Sequence, residues 1–112
     1  MTPRIYVATT LPALARFVED GVLPPSVDRF VAGDEDEESE YAALMAAAEA
    51  SAALIDGPGR RVVVVAEADD PDAELPLRRV LAVHADATDA AAADEDLLWY
   101  AGQEIPFLLD DD

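Results

Sequence analysis

The chain has 112 residues, the size of one domain, and its Val, Leu, Ile and Phe content is sufficient for a folded core. Its 25 acidic residues face only seven arginines and no lysine, and the formal charge of −18 disfavours direct binding to nucleic-acid phosphates. The absence of cysteine excludes disulfides and thiolate metal sites, and no apolar run approaches the ~18 residues that a membrane-spanning helix requires.

The N-terminal segment predicts a strand followed by a helix. Residues 4–9 (RIYVAT) alternate well enough for a first strand. A helix over residues 11–20 follows, because the Thr10 hydroxyl can cap it, Pro12 suits its first turn and Gly21 supplies a stop.

The acidic run in the middle of the chain predicts the start of a second helix. A short edge strand over residues 27–32 precedes it. Asp34, followed three residues later by Glu37, resembles a capping box, and carboxylates are favourable at the positive end of a helix dipole. The helix is predicted over residues 35–55 and is ended by Gly57 and Pro58.

Residues 60–68 (RRVVVVAEA) predict the central strand, because four consecutive valines indicate burial on both faces of a sheet. Residues 78–86 (RRVLAVHAD) repeat the layout of two arginines before the strand and an acid after it. The connection of about nine residues is too short for a parallel crossover and therefore predicts antiparallel pairing. Such pairing brings Arg60 and Arg61 toward Asp86, and Arg78 and Arg79 toward Glu67 and Asp69.

The C-terminal third is less regular. Residues 86–96 (DATDAAAADED) fit either a short alanine-rich helix or a mobile loop, and the pattern leaves both open. Residues 97–101 (LLWYA) predict a last strand, and residues 103–109 begin another helical turn before an acidic tail at 110–112.

These elements predict a single α+β domain over residues 1–112. We expect a two-layer sandwich in which an antiparallel or mixed sheet of about four to five strands carries the two main helices, 11–20 and 35–55. If both helices lie on one face, the valines on the other face need a cover, which makes a homodimer through that face a hypothesis.

Several segments together resemble a known family. They are RIYVATTLPAL, an acidic stretch running into EYAALMAAAEASAALI, RRVVVVAEA, VLAVHAD and LLWYAGQEI. In this order they resemble a family of small acidic actinobacterial proteins defined only as a domain of unknown function, and the resemblance spans nearly the whole chain. It implies no activity, cofactor or catalytic residue.

The chain offers little for catalysis. It has no cysteine or lysine, so the sole histidine, His84, is the only candidate general base, and Asp86 would share its strand face. A single strand histidine beside an acid is more often structural than catalytic. The glycines form no phosphate-binding loop, and we expect neither a cofactor nor a metal site.

Recognition chemistry is concentrated near the C-terminus. Trp99, Tyr100, Gln103 and Glu104 combine large aromatic surfaces with polar groups, as binding hot spots do. The alternative is that they close the core at the edge of the sheet.

The acidic surface permits two interpretations. It can reflect adaptation to salt or a GC-rich genome, or it can serve a function, either by imitating nucleic acid or by docking on a basic protein. The mimicry hypothesis uses residues 94–96 and a run that comprises Asp34, Glu35, Asp36, Glu37, Glu38 and Glu40.

The leading functional hypothesis is a non-catalytic protein-interaction or regulatory domain, with mimicry and a small His84-dependent enzyme as alternatives. We expect a protein partner, and contact with neither nucleic acid nor membrane. The N-terminus lacks the plan of a signal peptide, so we expect the cytoplasm.

Overall fold

The computed structural model describes residues 4–24, 28–32, 36–55, 59–70, 72–88 and 96–110. In these ranges the strands are β1 Arg4–Thr9, β2 Val22–Leu23, β3 Arg29–Val31, β4 Val62–Glu67, β5 Leu75–Pro76, β6 Val80–Ala85 and β7 Leu98–Ala101. The α-helices are α1 Leu11–Asp20, α2 Glu37–Leu54 and α3 Ile105–Asp110, and two 3-10 turns span Leu77–Arg79 and Gly102–Glu104.

Five strands form one sheet in the order β3-β1-β4-β6-β7, with every neighbouring pair antiparallel. The valine-rich strand β4 is the middle strand, which confirms the prediction from its sequence. The short strands β2 and β5 form a separate two-stranded sheet. The α+β class, the antiparallel sheet and its number of strands are therefore confirmed.

The four valines of β4 are buried on two different faces of the sheet. On the first face, Val62 and Val64 belong to a core that includes Leu14 of α1 and Leu108 of α3. On the second face, Val63 and Val65 pack with three alanines of α2, which are Ala43, Ala47 and Ala48. Because alanine side chains are small, the axis of α2 can approach the sheet closely.

The two main helices consequently lie on opposite faces, and the expectation that both lie on one face is wrong. The sequence pattern of each helix indicates an apolar side but not which face of the sheet receives it. Since α2 covers Val63 and Val65, the need for a second copy to cover those valines disappears.

The ends of α1 follow the predicted signals. The Thr10 hydroxyl accepts a hydrogen bond from the backbone N–H of Ala13 at 3.3 Å. Gly21 ends the helix in the left-handed conformation at φ 78°, where a side chain would be strained.

Helix α2 begins at Glu37, slightly later than predicted. Its N-cap is Asp36, whose carboxylate accepts a hydrogen bond from the backbone N–H of Ser39 at 2.7 Å. The prediction of the cap at Asp34 is therefore wrong, because Asp36 has the extended conformation from which a short acceptor reaches the first turn. Asp34 itself and the predicted stop at Gly57 and Pro58 lie outside the described residues.

A buried hydroxyl joins α2 to the sheet. Ser51 donates a hydrogen bond to the backbone carbonyl of Thr9 at 2.6 Å and accepts one from the backbone N–H of Val62 at 2.8 Å. Thr9 and Val62 are register partners at the ends of β1 and β4. Ser51 thus satisfies two backbone groups that would otherwise be unpaired in the core.

The C-terminal elements match the prediction in type. β7 covers most of the predicted last strand, and α3 continues through Asp110, the first residue of the predicted acidic tail. The helix-or-loop question at residues 86–96 falls largely on 89–95, outside the described residues. No helix in the described ranges is long and apolar enough to span a membrane.

Candidate functional site

The antiparallel register places His84 of β6 directly opposite Trp99 of β7. On its other side His84 stands opposite Val63 of β4, whose side chain belongs to the second face. Side chains of directly opposed residues lie on the same face of a sheet, so Trp99 and His84 are neighbours on the second face. Two residues that the sequence suggested for separate sites therefore share one surface.

This surface lies beside the part of the second face that α2 covers. Helix α2 packs mainly on β1, β3 and β4. Trp99 is 61% exposed, whereas Val63 in the same cross-strand row is fully buried. Leu97, two residues before Trp99, is partly buried against the core of the second face. We call the surface formed by His84, Leu97 and Trp99 the Trp99 surface.

Strand β7 is an edge of the sheet, and the pairing of the described residues engages only its β6 side. The side chains of Leu98 and Trp99 point to opposite faces, because successive strand residues alternate. Both are exposed, Leu98 to 47%. The edge therefore presents an apolar side chain on each face, together with backbone groups that can pair with another strand.

His84 is half-buried, and its ring forms no hydrogen bond with the described residues. Burial lowers the pKa of His84 below its usual 6.5, because removal from water disfavours the charged imidazolium. The neutral form of the ring therefore predominates at pH 7. It contributes a flat, weakly polar surface next to the more exposed Trp99 in the cross-strand pair.

Asp86 does not support His84 as a catalytic base. Both carboxylate oxygens of Asp86 bind the Arg61 side chain, at 2.8 Å from Nε and 2.7 Å from Nη2. The backbone N–H of Arg61 also donates to Asp86 at 2.8 Å, and Asp86 is 2% exposed. This carboxylate is therefore committed to Arg61, and it joins the start of β4 to the end of β6.

The predicted charge pairing between the two strands is confirmed at this end. Arg60 donates from Nε to the backbone carbonyl of Asp86 at 2.8 Å, and Arg61 forms the ion pair. At the other end Val80 stands opposite Ala66, but Arg78 and Arg79 enter an exposed 3-10 turn. They form no ion pair with the described residues.

The four residues proposed for recognition occupy different positions. Tyr100 points to the first face, where it packs against the core, and Gln103 is exposed. Glu104 accepts a hydrogen bond from the backbone N–H of Ala101 at 2.8 Å, which fixes the turn after β7. Trp99 alone lies on the second face, so the four side chains form no single cluster.

The described part of the acidic run is used at the start of α2. Glu37 and Glu38 are exposed in the first helical turn. Glu40 binds Arg4 of β1 at 3.0 Å. The hydrogen bond from the Ser39 backbone lowers the pKa of Asp36, so this carboxylate stays charged in the cap. Asp34, Glu35 and residues 94–95 lie outside the described residues.

Among the described residues, no group of three or more histidine and carboxylate side chains has a geometry that could hold a metal ion.

A comparison with protein-family models identifies the family. The model of DUF6912, a family of unknown function, matches residues 3–109. The chain belongs to this family. The search of curated proteins and the search of solved structures each gave no significant match.

In this DUF6912 chain, the sequence did not predict that His84 and Trp99 are cross-strand neighbours. The signal was partly present, because the pairing of Arg61 with Asp86 fixes the register of β4 against β6. The register of β6 against β7 had no such marker, since residues 86–96 gave no defined turn from which to count.

Proposed function

We propose that this DUF6912 chain is a non-catalytic, cytoplasmic protein-interaction domain that binds its partner through the Trp99 surface. The observation that carries the proposal is the 61% exposure of Trp99 on an edge strand. Tryptophan is among the residues that contribute most to protein interfaces.

Of the seven aromatic side chains, Tyr41, Trp99 and Phe107 are largely exposed, and Trp99 is the one of these three that lies on the sheet. Tyr6 and Phe17 are buried in the two cores, and Tyr100 packs against the first core. Tyr100, the next residue of β7, packs against a core, whereas Trp99 leaves most of its side chain in water. Burial of this ring by a partner would remove a large apolar surface from solvent.

The charge of the chain indicates the chemistry of the partner. Of the seven arginines, Arg60 and Arg61 are buried and bonded within the fold, and Arg4 is paired with Glu40. Among the acidic residues in the described ranges, most form no ion pair with another described residue. The excess of carboxylates gives the chain a negative electrostatic potential, which attracts a basic partner and repels an acidic one.

The test is capture of the partner from cells of the native host by a tagged chain, with photo-cross-linking and mass spectrometry. Trp99→Ala is compared with the wild type and with Tyr41→Ala, since Tyr41 is 58% exposed on α2 and therefore a matched aromatic control. We expect a protein with a basic segment that the wild type and Tyr41→Ala recover equally, and that Trp99→Ala recovers about tenfold less.

Equal recovery by Trp99→Ala would contradict the Trp99 surface as the binding site. Absence of any partner above background, combined with turnover in a substrate panel, would contradict the interaction function itself. Circular dichroism checks that both variants are folded. We expect both spectra to match that of the wild type, because an exposed side chain contributes little to the fold.

A further inference from the structure

The outer edge of β7 allows a partner to bind by main-chain hydrogen bonds in addition to contact with the Trp99 surface. Strand β7 pairs with β6 through four register pairs, from Ala82 with Ala101 to Ala85 with Leu98. Its other edge carries backbone N–H and C=O groups that no described strand pairs. Such an edge is a template for another strand.

We propose that an extended, basic segment of the partner adds to the outer edge of β7 as a further strand of the sheet, with a lysine or arginine side chain over Trp99. This inference rests on the proposed interaction function and specifies the form of its ligand. Main-chain hydrogen bonds supply affinity in this mode, and the alternating side chains supply specificity.

The exposed side chains of β7 match an added strand. A strand next to β7 places alternate side chains above and below the sheet. Those on the second face meet Trp99, which is 61% exposed, and those on the first face meet Leu98, which is 47% exposed. A cation above an indole ring is attracted by the negative face of the ring, and an aliphatic side chain buries Leu98.

The charges around the edge indicate where the basic residues lie. Asp96 is exposed just before β7, three residues from Trp99. Arg78 and Arg79 are exposed at the opposite end, immediately before Val80, whose carbonyl lies against Gly102. We therefore expect the basic residues of the added strand at the Asp96 end.

A second copy of this chain fits the edge less well than a basic segment. Two chains that each carry a formal charge of −18 repel one another. A contact between two strands of four residues is also small in area compared with stable protein interfaces. Such interfaces bury at least about 1,200 Å² in total. A peptide needs no such area, since it is ordered by the sheet edge itself.

The experiment selects ligands directly and does not require the partner to be identified. A displayed library of randomised peptides of about eight residues, within the usual length of a strand, is selected on the wild-type chain and counter-selected on Trp99→Ala. Enriched peptides are synthesised, and their binding is followed by NMR on the isotope-labelled chain. A version with alternate backbone nitrogens methylated removes the donors of one peptide edge and leaves the charges unchanged.

We expect enriched peptides in which Lys or Arg alternates with apolar residues. Binding should slow hydrogen exchange of the β7 amides, and backbone methylation should weaken it about tenfold or more. Replacement of the basic residues by glutamate should weaken binding similarly, and added salt should reduce the affinity. Tyr41→Ala should bind as the wild type does.

Three results would overturn the inference. The first is equal binding of the methylated peptide, which would show charge attraction without strand addition. The second is the absence of enriched peptides, or enrichment of acidic ones. The third is protection of the β7 amides that rises with protein concentration alone, which would identify a second copy as the occupant. If the cell capture still depends on Trp99, these results leave the proposed function standing.

Discussion

The two halves of the sheet differ in what covers them. The strands β1 and β4 are enclosed on both faces, and the side chains from Val62 to Ala66 and at Ile5 are at most 6% exposed. Strand β7, two positions from β4 in the same sheet, has Leu98 and Trp99 largely in water. The enclosed half holds the fold together, and the exposed half is where a partner can gain apolar contact. Changes in the two halves should therefore have different consequences.

The largest effect on stability is expected at Asp86, which joins the start of β4 to the end of β6, the strand that pairs with β7. Asp86→Ala leaves the Arg61 guanidinium buried without its carboxylate, and loss of one partner of a buried ion pair costs about 3–5 kcal/mol. The free energy of unfolding is measured by urea titration. Asp69→Ala, at an exposed position, is the control and should change it by less than about 0.5 kcal/mol. A similarly small change for Asp86→Ala would show that the ion pair is not buried.

A second change addresses the enclosed half alone. Ser51→Ala leaves the Thr9 carbonyl and the Val62 N–H without a hydrogen-bond partner, which we expect to cost about 2–3 kcal/mol. Ala53→Ser adds the same hydroxyl on the exposed side of α2 and should be nearly neutral. Urea titration of the two variants compares them. Equal stability would contradict the bridging role of Ser51.

A third change addresses the exposed half. A Cβ added at Gly102 would lie 2.8 Å from the carbonyl oxygen of Val80, and the backbone must shift to admit it. We expect Gly102→Ala to cost about 1–3 kcal/mol and to alter Trp99 fluorescence, since Gly102 follows β7 directly. Gly21→Ala, which is strained at the end of α1 at φ 78°, should lower stability without altering that fluorescence. Unchanged fluorescence in Gly102→Ala would contradict the close approach.

The smallest effect concerns pH. The folded pKa of His84 is lowered by burial below 6.5, so the unfolded chain takes up the proton first as the pH falls. The His84 contribution to stability is therefore constant above pH 6.5 and decreases as the pH falls from 6.5 toward the folded pKa. His84→Gln should remove this part of the pH dependence in urea titrations that span about one pH unit on either side of the unfolded pKa. A His84 pKa above 6.5 by NMR would contradict the half-buried position.

The enclosed half could be predicted from the sequence and the exposed half only in outline. Four consecutive valines identify a central strand wherever the helices lie, and Thr10 and Gly21 fix the ends of α1 by local chemistry. The face on which each helix packs depends on contacts between residues far apart in the chain, as for Ser51 with Thr9. No local pattern contains that information.

The candidate site was predictable as a set of residue types but not as a surface. Trp99 and His84 are recognisable in the sequence as groups with recognition or acid–base chemistry. Their position as cross-strand neighbours depends on the register of β6 and β7. The structural role of Asp86 depends on its buried ion pair with Arg61. Only the assembled sheet separates the structural carboxylate from the exposed aromatic ring.

Native-state hydrogen exchange of the free chain tests the open outer edge of β7, on which the proposed addition of a partner strand depends, most directly. We predict that the β7 amides that point away from β6 exchange rapidly, whereas the amides of β4 exchange only through global unfolding. Strong protection of the outward β7 amides at low protein concentration would contradict this prediction, because the chain itself would then cover the edge at which we place the partner.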